Sequence, residues 1–399
     1  MFTKKTVKDA VLAGKRVLLR VDFNVPLDGA TVTDDTRIRA ALPTIRYLVD
    51  HGARVILISH LGRPDGGFFQ PEFSLKPVVR NLERLIGRPV KLLEGNIERD
   101  PSIKEAVGAM ADGDIVMLEN IRFYPEEKAN DPTFARTLAS LADLYANDAF
   151  GTAHRAHAST AGVAEFLPAY AGLLLAREVD TLASMLRDAP TPFVAILGGS
   201  KVSDKFGVID RLIDVVDTLL IGGGMAFTFL SAQGSGIGQS LVEPDWIEPA
   251  KDMLTKAKEK GCQLFLPIDV VVADEFAEDA NTRIVGRDEI PDDMRGLDIG
   301  PATAELFKGE IAGAKTIYWN GPMGVFEMAA FDNGTKAVAE AVARNSGATS
   351  VIGGGDSVAA LKKFGLENSV TFISTGGGAS MMLVEGKKLP GVEALLDAE

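Results

Sequence analysis

The chain has a single cysteine, Cys262, in 399 residues, so no disulfide can form within it, and a reducing, cytoplasmic setting is expected. Cys262 sits beside the apolar run Leu264-Phe265-Leu266 and reads as a strand residue, not as a nucleophile. No apolar run reaches the roughly 18 residues of a membrane-spanning helix. The start, Met1-Phe2-Thr3-Lys4-Lys5, leads into polar sequence without a signal-peptide core, so no membrane role is expected. Positive charge is also short: the formal net charge is -13. The deficit is uneven, with 23 basic against 24 acidic residues up to position 180 and 19 against 31 beyond it. Overall acidity argues against a nucleic-acid partner. Fifteen of the 23 basic residues in the first part are arginine, which suits bidentate grip on a small anion. All four histidines, His51, His60, His154 and His157, lie there too.

Several motifs are missing as well. There is no GxxxxGK[ST] loop and neither an HRD nor a DFG triplet, so P-loop and protein-kinase machinery are not expected. Gly234, Gly236 and Gly238 make a GxGxG run, but no strand leads straight into it and Gln239 stands where the third glycine of a dinucleotide fingerprint belongs. It reads as a loop.

What is present is a repeated strand, turn and helix pattern of the α/β class, in a chain long enough for two domains with separate cores. The stretch Gly198-Gly199-Ser200-Lys201-Val202-Ser203-Asp204-Lys205 follows an apolar strand at 193–197 and precedes a helical pattern at Phe206, Ile209, Leu212 and Ile213. Ser203 is expected to cap that helix. If its first turn begins early, Lys201 and Lys205 share a face and reach one phosphate; two solvated surface lysines would look the same.

In the first part, four candidate strands end in polar groups. Residues 16–21 lead into Asp22-Phe23-Asn24, and 55–58 into Ser59-His60-Leu61-Gly62-Arg63. Residues 114–118 lead into Glu119-Asn120-Ile121-Arg122, and 144–147 into Asp148 and then His154-Arg155. Carboxyl ends of parallel strands face one crevice, so these groups are expected to converge on a polyanion. A helix at 36–49 puts Arg37 in its first turn, against the helix dipole, which hints at an anion partner. Pro190-Thr191-Pro192 marks a break after a long helix at 173–186.

The second part has strands at 193–197, 218–221, 316–319 and 350–352, each followed by glycine or by Asn320-Gly321. Gly353-Gly354-Gly355-Asp356 opens a helical pattern, so its backbone amides can hold phosphate and Asp356 can meet the Mg²⁺ of that phosphate, directly or through water. Glu327 can accept from a pair of sugar hydroxyls, or it is simply a helix-start carboxylate.

Taken together, RVDFNVP, HLGRP, ENIRF, GTAHRAHAS, GGSKVSDK, GGGM, WNGPMGVFE, GGGDS and STGGGAS occur in an order and spacing that resemble the phosphoglycerate kinase family from end to end. Ser200 in place of a usual alanine and Ile121 in place of a frequent leucine are small departures that remove no charge. The resemblance implies two Rossmann-like domains, each a mainly parallel sheet flanked by helices. It makes 1–175 the 3-phosphoglycerate domain, completed by the tail 380–399, and 190–373 the nucleotide domain, with hinges near 176–192 and 374–379. It implies a reversible transfer between 1,3-bisphosphoglycerate and ADP, giving 3-phosphoglycerate and ATP, by a cytoplasmic monomer that uses Mg²⁺. Asp22, Phe23, Asn24, Arg37, His60, Leu61, Gly62, Arg63, Arg122 and Arg155 carry over as the acid-substrate site. Lys205, Glu327, Gly353, Gly354, Gly355 and Asp356 carry over as the nucleotide site, with Arg37, Lys201, Lys205, Gly354 and Gly355 around the transferred group.

Such chemistry needs no general base, because a carboxylate with a pKa of roughly 4 is already ionised at neutral pH. Alignment and charge then carry the catalysis, and in-line transfer without a phosphoenzyme is expected. The alternatives are a nicotinamide-dependent dehydrogenase of similar form, disfavoured by the missing fingerprint, and a catalytically silent nucleotide-binding protein.

Overall fold

In the computed structural model, which describes residues 2–398, the run Arg16–Arg20 is a buried strand with Arg54–Ile58 parallel on one side and Leu144–Asn147 parallel on the other. Val17, Leu18 and Leu19 are all closed off from solvent, which is why the strand reads as a continuous apolar run and not as an alternation. The sheet continues outwards in the order Lys91–Leu93, Ile115–Leu118, Arg54–Ile58, Arg16–Arg20, Leu144–Asn147, Ala169–Ala171, parallel throughout. Arg20 pairs with both Ile58 and Asn147, so the carboxyl ends of the three central strands are level. Helix Thr36–Asp50 buries Ile38, Ala41, Leu42, Ile45 and Leu48 in a core shared with this sheet. The spacing of three and four residues between them is the apolar face read from the sequence.

A second parallel sheet follows the order Gln263–Phe265, Thr218–Ile221, Phe193–Leu197, Thr316–Asn320, Thr349–Gly353, Phe372–Ile373. Its central strands Phe193–Leu197 and Thr316–Asn320 are buried along their whole length. Helices Pro301–Gly313 and Asn333–Arg344 pack on each other, and Phe307, Ile311, Val338 and Val342 join Trp319 and Ile317 in one core. A small antiparallel sheet of Asp269–Ala273, flanked by Thr282–Gly286 and Arg295–Ile299, belongs to the second unit, whereas the first has a two-stranded antiparallel pair, Leu27–Asp28 with Thr31–Val32.

The chain thus divides into two compact α/β units. The first runs to Thr181 and takes up the chain again from Lys388; the second is Leu182–Lys387. The first boundary falls inside helix Leu173–Asp188, ahead of the proline break. At the second, the chain returns later than the sequence reading places it. Helix Gly378–Val384 packs on helix Phe206–Ile213 of the second unit, where a Cβ at Gly207 would come within 2.9 Å of the Glu385 side chain. The glycine-rich break at 374–379 therefore lies within the second unit, and only the last turn of chain, with Leu389, Val392 and Leu395 buried, belongs to the first. Asn147 secures that end by donating to the Gly391 carbonyl at 3.1 Å.

Two local expectations are corrected. Ser203 does not cap the helix of Phe206–Ile213, whose N-cap is Lys205 with no side-chain hydrogen bond. The Ser203 hydroxyl and amide both donate to the Glu243 carboxylate instead, at 2.6 and 3.0 Å. Because the helix starts only at Phe206, Lys201 and Lys205 are not on a common helical face: Lys201 is exposed while Lys205 folds inward. Cys262 is buried beside strand Gln263–Phe265, and burial pushes its thiol up to about 11, so it is not a thiolate at neutral pH. Among the described residues no helix is long and apolar enough to cross a membrane.

Candidate functional site

In the first unit the level strand ends bring the expected groups together. Asp22 follows Arg16–Arg20 by two residues, and its Oδ1 accepts from Arg37 Nη1 at 3.3 Å and from the Asn24 amide at 3.2 Å. Arg37 also donates to the Asn24 carbonyl at 3.0 Å, so the first-turn arginine is held towards the strand end by acceptors. Asn24 Oδ1 accepts from the Gly62 amide at 2.8 Å, and the Gly62 carbonyl accepts from Arg122 Nη1 at 2.8 Å. Gly62 links three strand ends through its backbone alone. Its φ is +61°, and a Cβ there would lie 2.4 Å from the Phe73 ring, so no other residue fits.

Arg122 is 5% exposed, and its buried Nε finds no acceptor among the described residues. Burial lowers its pKa to about 10, and the positive charges of Arg155 and Arg20 add to the effect. Buried donors left unpaired are costly, and an anionic ligand would relieve both the missing acceptor and the crowding of like charge. Arg155 donates Nε to His154 Nε2 at 3.2 Å. Arg63 is exposed and makes no hydrogen bond or ion pair among the described residues.

Two residues carried over by resemblance sit differently. Phe23 is wholly buried; its amide donates to Ser59 Oγ and its carbonyl accepts from the Val25 amide, so it offers the crevice nothing polar. Leu61 is likewise in the core, with its amide and carbonyl both held by the Asn120 side chain. Conversely, Arg20, Glu127 and Ser159 were not singled out in the sequence, yet all three lie fully buried behind the arginines. Arg20 is hidden in an apolar strand. The available signal was the oddity of an arginine ending a parallel strand straight after the aliphatic run Val17-Leu18-Leu19.

In the second unit a hollow of about 290 Å³ is lined by Gly199, Lys201, Lys205, Gly354, Gly355 and Asp356, among others. Gly198 and Gly199 follow Phe193–Leu197; a Cβ at Gly198 would lie 2.0 Å from the Pro322 carbonyl oxygen, which enforces glycine there. Lys205 Nζ donates to both the carbonyl and Oδ1 of Asn320. Burial lowers the Lys205 pKa to about 8, partly offset by Asp356 and Asp204. Strand Thr349–Gly353 ends in Gly354 at φ +84°, and helix Gly355–Lys363 begins at once with no side-chain cap. Its first-turn amides have no intrahelical acceptor and point out of the helix start.

A second hollow of about 450 Å³ shares Gly199, Ser200 and Asp356 with the first and is lined further by Gly223, Gly224, Leu297, Val325 and Glu327. One end therefore carries two lysines beside two aspartates and is rich in free amides, and the other is mostly apolar and finished by a carboxylate. That is the arrangement a nucleoside polyphosphate requires. A third hollow, about 570 Å³, lies in the first unit between Phe68, Phe69, Phe123, Glu94, Glu98 and Glu126. Its carboxylates oppose a phosphate ester, and it is not part of this site.

The chain matches the family model described as "Phosphoglycerate kinase" over residues 7–387. It is 56% identical over 397 residues to the phosphoglycerate kinase of Dictyoglomus turgidum and 57% identical over 394 residues to that of Moorella thermoacetica, covering 99% of both partners in each case. Among solved structures it is similar to the phosphoglycerate kinase of Coxiella burnetii, with a TM-score of 0.89 and 44% identity over 98% of either chain. It is also similar to that of Pyrococcus horikoshii, with a TM-score of 0.83, 31% identity and 99% and 98% of the two chains covered.

Proposed function

The chain belongs to the phosphoglycerate kinase family, and from that premise we propose how its own residues divide the reaction. The reaction is the glycolytic transfer of a phosphoryl group between the carboxyl group of 3-phosphoglycerate and the nucleotide pair ADP and ATP. The first unit takes the phosphoglycerate: Arg37, Arg63, Arg122 and Arg155 meet its phosphate and carboxylate, with Asp22, Asn24 and His60 fixing the remaining oxygens. The buried, unpaired Nε of Arg122 in a field of like charge is the observation that carries this assignment. The second unit takes the nucleotide: Gly353 to Asp356 and Lys205 at the phosphates, Glu327 at the sugar, and Lys201 at the transferred group.

The residue that would meet a nucleotide-borne Mg²⁺ is Asp356. Asp356 is an exposed carboxylate on the rim of both hollows and offers the hard oxygen that Mg²⁺ takes beside phosphate oxygens. Among the described residues no three His, Cys, Asp or Glu side chains gather into a metal cage. Bound there, the ion supplies neutralisation of phosphate charge.

The substrate carboxylate is the nucleophile and is ionised without help from a base. Phosphoryl transfer spreads negative charge over the equatorial oxygens, and Arg37, Lys201, Lys205 and the Gly354-Gly355 amides stabilise it. No side chain is phosphorylated on this route. Since the acid-binding and nucleotide-binding residues belong to different units, the reaction requires the two to close on their substrates and exclude water, with movement about the places where the chain passes between units, within 176–192 and near Lys387-Lys388. Solution scattering checks this: the particle with both substrates is expected to have a smaller radius of gyration than with either alone, and an unchanged radius rejects closure.

The primary experiment is steady-state ADP formation from MgATP and 3-phosphoglycerate by the native chain and by Arg37→Ala. Turnover that needs both substrates and falls by about a hundredfold or more in the variant is expected for the loss of one charge-stabilising group. Undiminished turnover in Arg37→Ala would remove that residue from the charge assignment. Absent turnover in a folded native sample that still binds MgATP would leave a silent nucleotide-binding protein.

A further inference from the structure

Behind the arginines of the first unit runs a buried chain of polar contacts that the reaction as derived does not use. Glu127 is 1% exposed, and its two carboxylate oxygens accept from the Ser159 hydroxyl at 2.6 Å and the Ser159 amide at 2.9 Å. Ser159 Oγ in turn accepts from Arg20 Nε at 2.9 Å. Arg20 Nη1 donates to the Val21 carbonyl, and Nη2 lies 3.1 Å from His60 Nδ1. Every direction in this chain is determined by chemistry. A guanidinium has donors and no acceptor, so the Ser159 hydroxyl proton must go to Glu127, and His60 Nδ1 must present its lone pair to Arg20. The one proton of a neutral imidazole is then on Nε2.

His60 is neutral for a separate reason. It is 3% exposed, and burial holds its pKa well below the ordinary value. The positive charges of Arg20, Arg122, Arg155 and Arg37 act in the same direction. Nε2 makes no hydrogen bond among the described residues.

We propose that Arg20, anchored through Ser159 on the buried carboxylate of Glu127, is a positioning residue that locks His60 in its Nε2–H form, so that the imidazole offers the acid substrate a donor. The proposal rests on the assignment of His60 to the phosphoglycerate site. Its physical sense is sign. A neutral histidine in the other tautomer would aim a lone pair at an oxygen anion and repel it, whereas the locked form adds a neutral donor to a set of charged ones. Burial and then four arginines disfavour the imidazolium, so the tautomer of the neutral ring is what the hydrogen bond from Arg20 selects. No carboxylate is hydrogen-bonded to Arg20 itself; Glu127, reached through Ser159, is its counter-charge, since burial raises the Glu127 pKa and the charge of Arg20 opposes that rise. His157 Nδ1 also comes within 3.7 Å of Glu127, but burial and neighbouring arginines lower its pKa to about 4, so at neutral pH it is not a second counter-charge.

The test is two-bond proton–nitrogen correlation NMR on the full chain with ¹⁵N-labelled histidine, with and without 3-phosphoglycerate, for the native chain, Ser159→Ala and Arg20→Met. His60→Gln assigns the resonance. In the native chain His60 is expected to show an unprotonated Nδ1 and a protonated Nε2 from pH 8 down to pH 5.5, with Nε2 shifting when 3-phosphoglycerate binds. Ser159→Ala, the milder change, is expected to keep the fold and to mix the tautomers. Its KM for 3-phosphoglycerate should rise by about tenfold, the scale of one lost charged-site hydrogen bond, with kcat little altered. Arg20→Met should show the same in larger measure if it folds.

A proton on Nδ1 in the native chain, or a tautomer unmoved in Ser159→Ala, overturns the lock even if 3-phosphoglycerate still perturbs His60. A locked His60 that does not respond to 3-phosphoglycerate overturns its role as a substrate donor and with it the placement of His60 in the acid site, while the other arginines keep theirs.

Discussion

Lys205 shows how much a single residue's surroundings can change its chemistry. In sequence it is one of two lysines four apart. In the folded chain its Nζ is pulled onto Asn320, and burial brings its pKa down to about 8. A phosphate ligand prefers the charged form, so nucleotide affinity should weaken as pH rises through about 8 and the ammonium is lost. The expected result is an ADP dissociation constant that increases up to tenfold between pH 7.5 and 9 in the native chain and stays flat in Lys205→Arg, whose charge persists. Isothermal titration calorimetry at fixed ionic strength measures it, and identical profiles for the two proteins would detach Lys205 from the nucleotide. Lys201 is exposed and has no such burial, so replacing it should leave the shape of the profile intact.

The same scale shows what sequence reading reached and what it missed. Asp22, Asn24, Arg37, Gly62 and Arg122 were legible because each follows or flanks an apolar run that must be a strand, and strand ends converge. Phe23 and Leu61 came along only because they sit inside the same motifs; alternation along the backbone turns them into the core. Arg20 was passed over for the opposite reason. A charged residue at the end of an aliphatic strand looks like a solvated terminus until the neighbouring strands close over it.

At the scale of elements, helix Leu173–Asp188 has a cap that lies far away in sequence. Asp148, just beyond strand Leu144–Asn147, accepts from the amides of Leu174 and Leu175 through Oδ1 at 2.9 and 3.2 Å, and Thr44 Oγ1 accepts from the Leu173 amide at 3.0 Å. The two elements thereby satisfy three first-turn donors. Gly172, whose Cβ would fall 2.0 Å from Asp148 Oδ1, is glycine because the carboxylate approaches so closely. Asp148→Ala is expected to lower the stability of the first unit by about 1–2 kcal/mol in urea unfolding followed by circular dichroism.

Burial also raises the Asp148 pKa to about 7, against 3.8 for the unperturbed group. The folded state therefore binds the proton more tightly than the unfolded one, so stability from this group declines as pH rises from about 4 to about 7. Asp148→Asn should remove that slope while keeping an acceptor for the helix. A slope as steep in Asp148→Asn as in the native chain would show that the carboxylate is not its source. None of this could be read locally: 25 residues separate Asp148 from the helix start it serves, and the capping signals sought in sequence lie within four residues of a helix.

For the whole molecule, the two units each build a six-stranded parallel sheet and hold an anion by different means. The arginine-rich first part of the chain builds the strand ends that crowd Arg20, Arg37, Arg122 and Arg155 around His60. The acidic second part builds a site with few cations and relies on backbone amides at Gly354 and Gly355, where glycine allows a helix to begin directly at a strand end. Both units also hide a carboxylate: Asp298, which accepts from the Ile299 and Gly334 amides, is raised by burial to about 8. Like Asp148 it makes the folded state more stable towards acid than towards neutral pH. Both tryptophans, Trp246 and Trp319, lie in the second unit, so their fluorescence follows that unit's unfolding and circular dichroism follows both. Unfolding curves should accordingly be compared by both probes before any single free energy is assigned.

The sequence by itself determined the α/β class, the two parallel sheets, the positions of the main strands and helices, and the family, because these follow from local periodicity, glycine placement and motif order along the chain. It also determined that no disulfide forms within the chain, since one cysteine cannot pair with itself. Only the tertiary structure decided which charged groups are buried and against what. Desolvation, the link from Glu127 through Ser159 to Arg20, the lone pair of His60 turned to Arg20, and the carboxylate of Asp148 set under a distant helix all depend on contacts between residues 26 to 139 positions apart. The energy of a charge depends on what surrounds it in space. Periodicity along the chain carries no record of that.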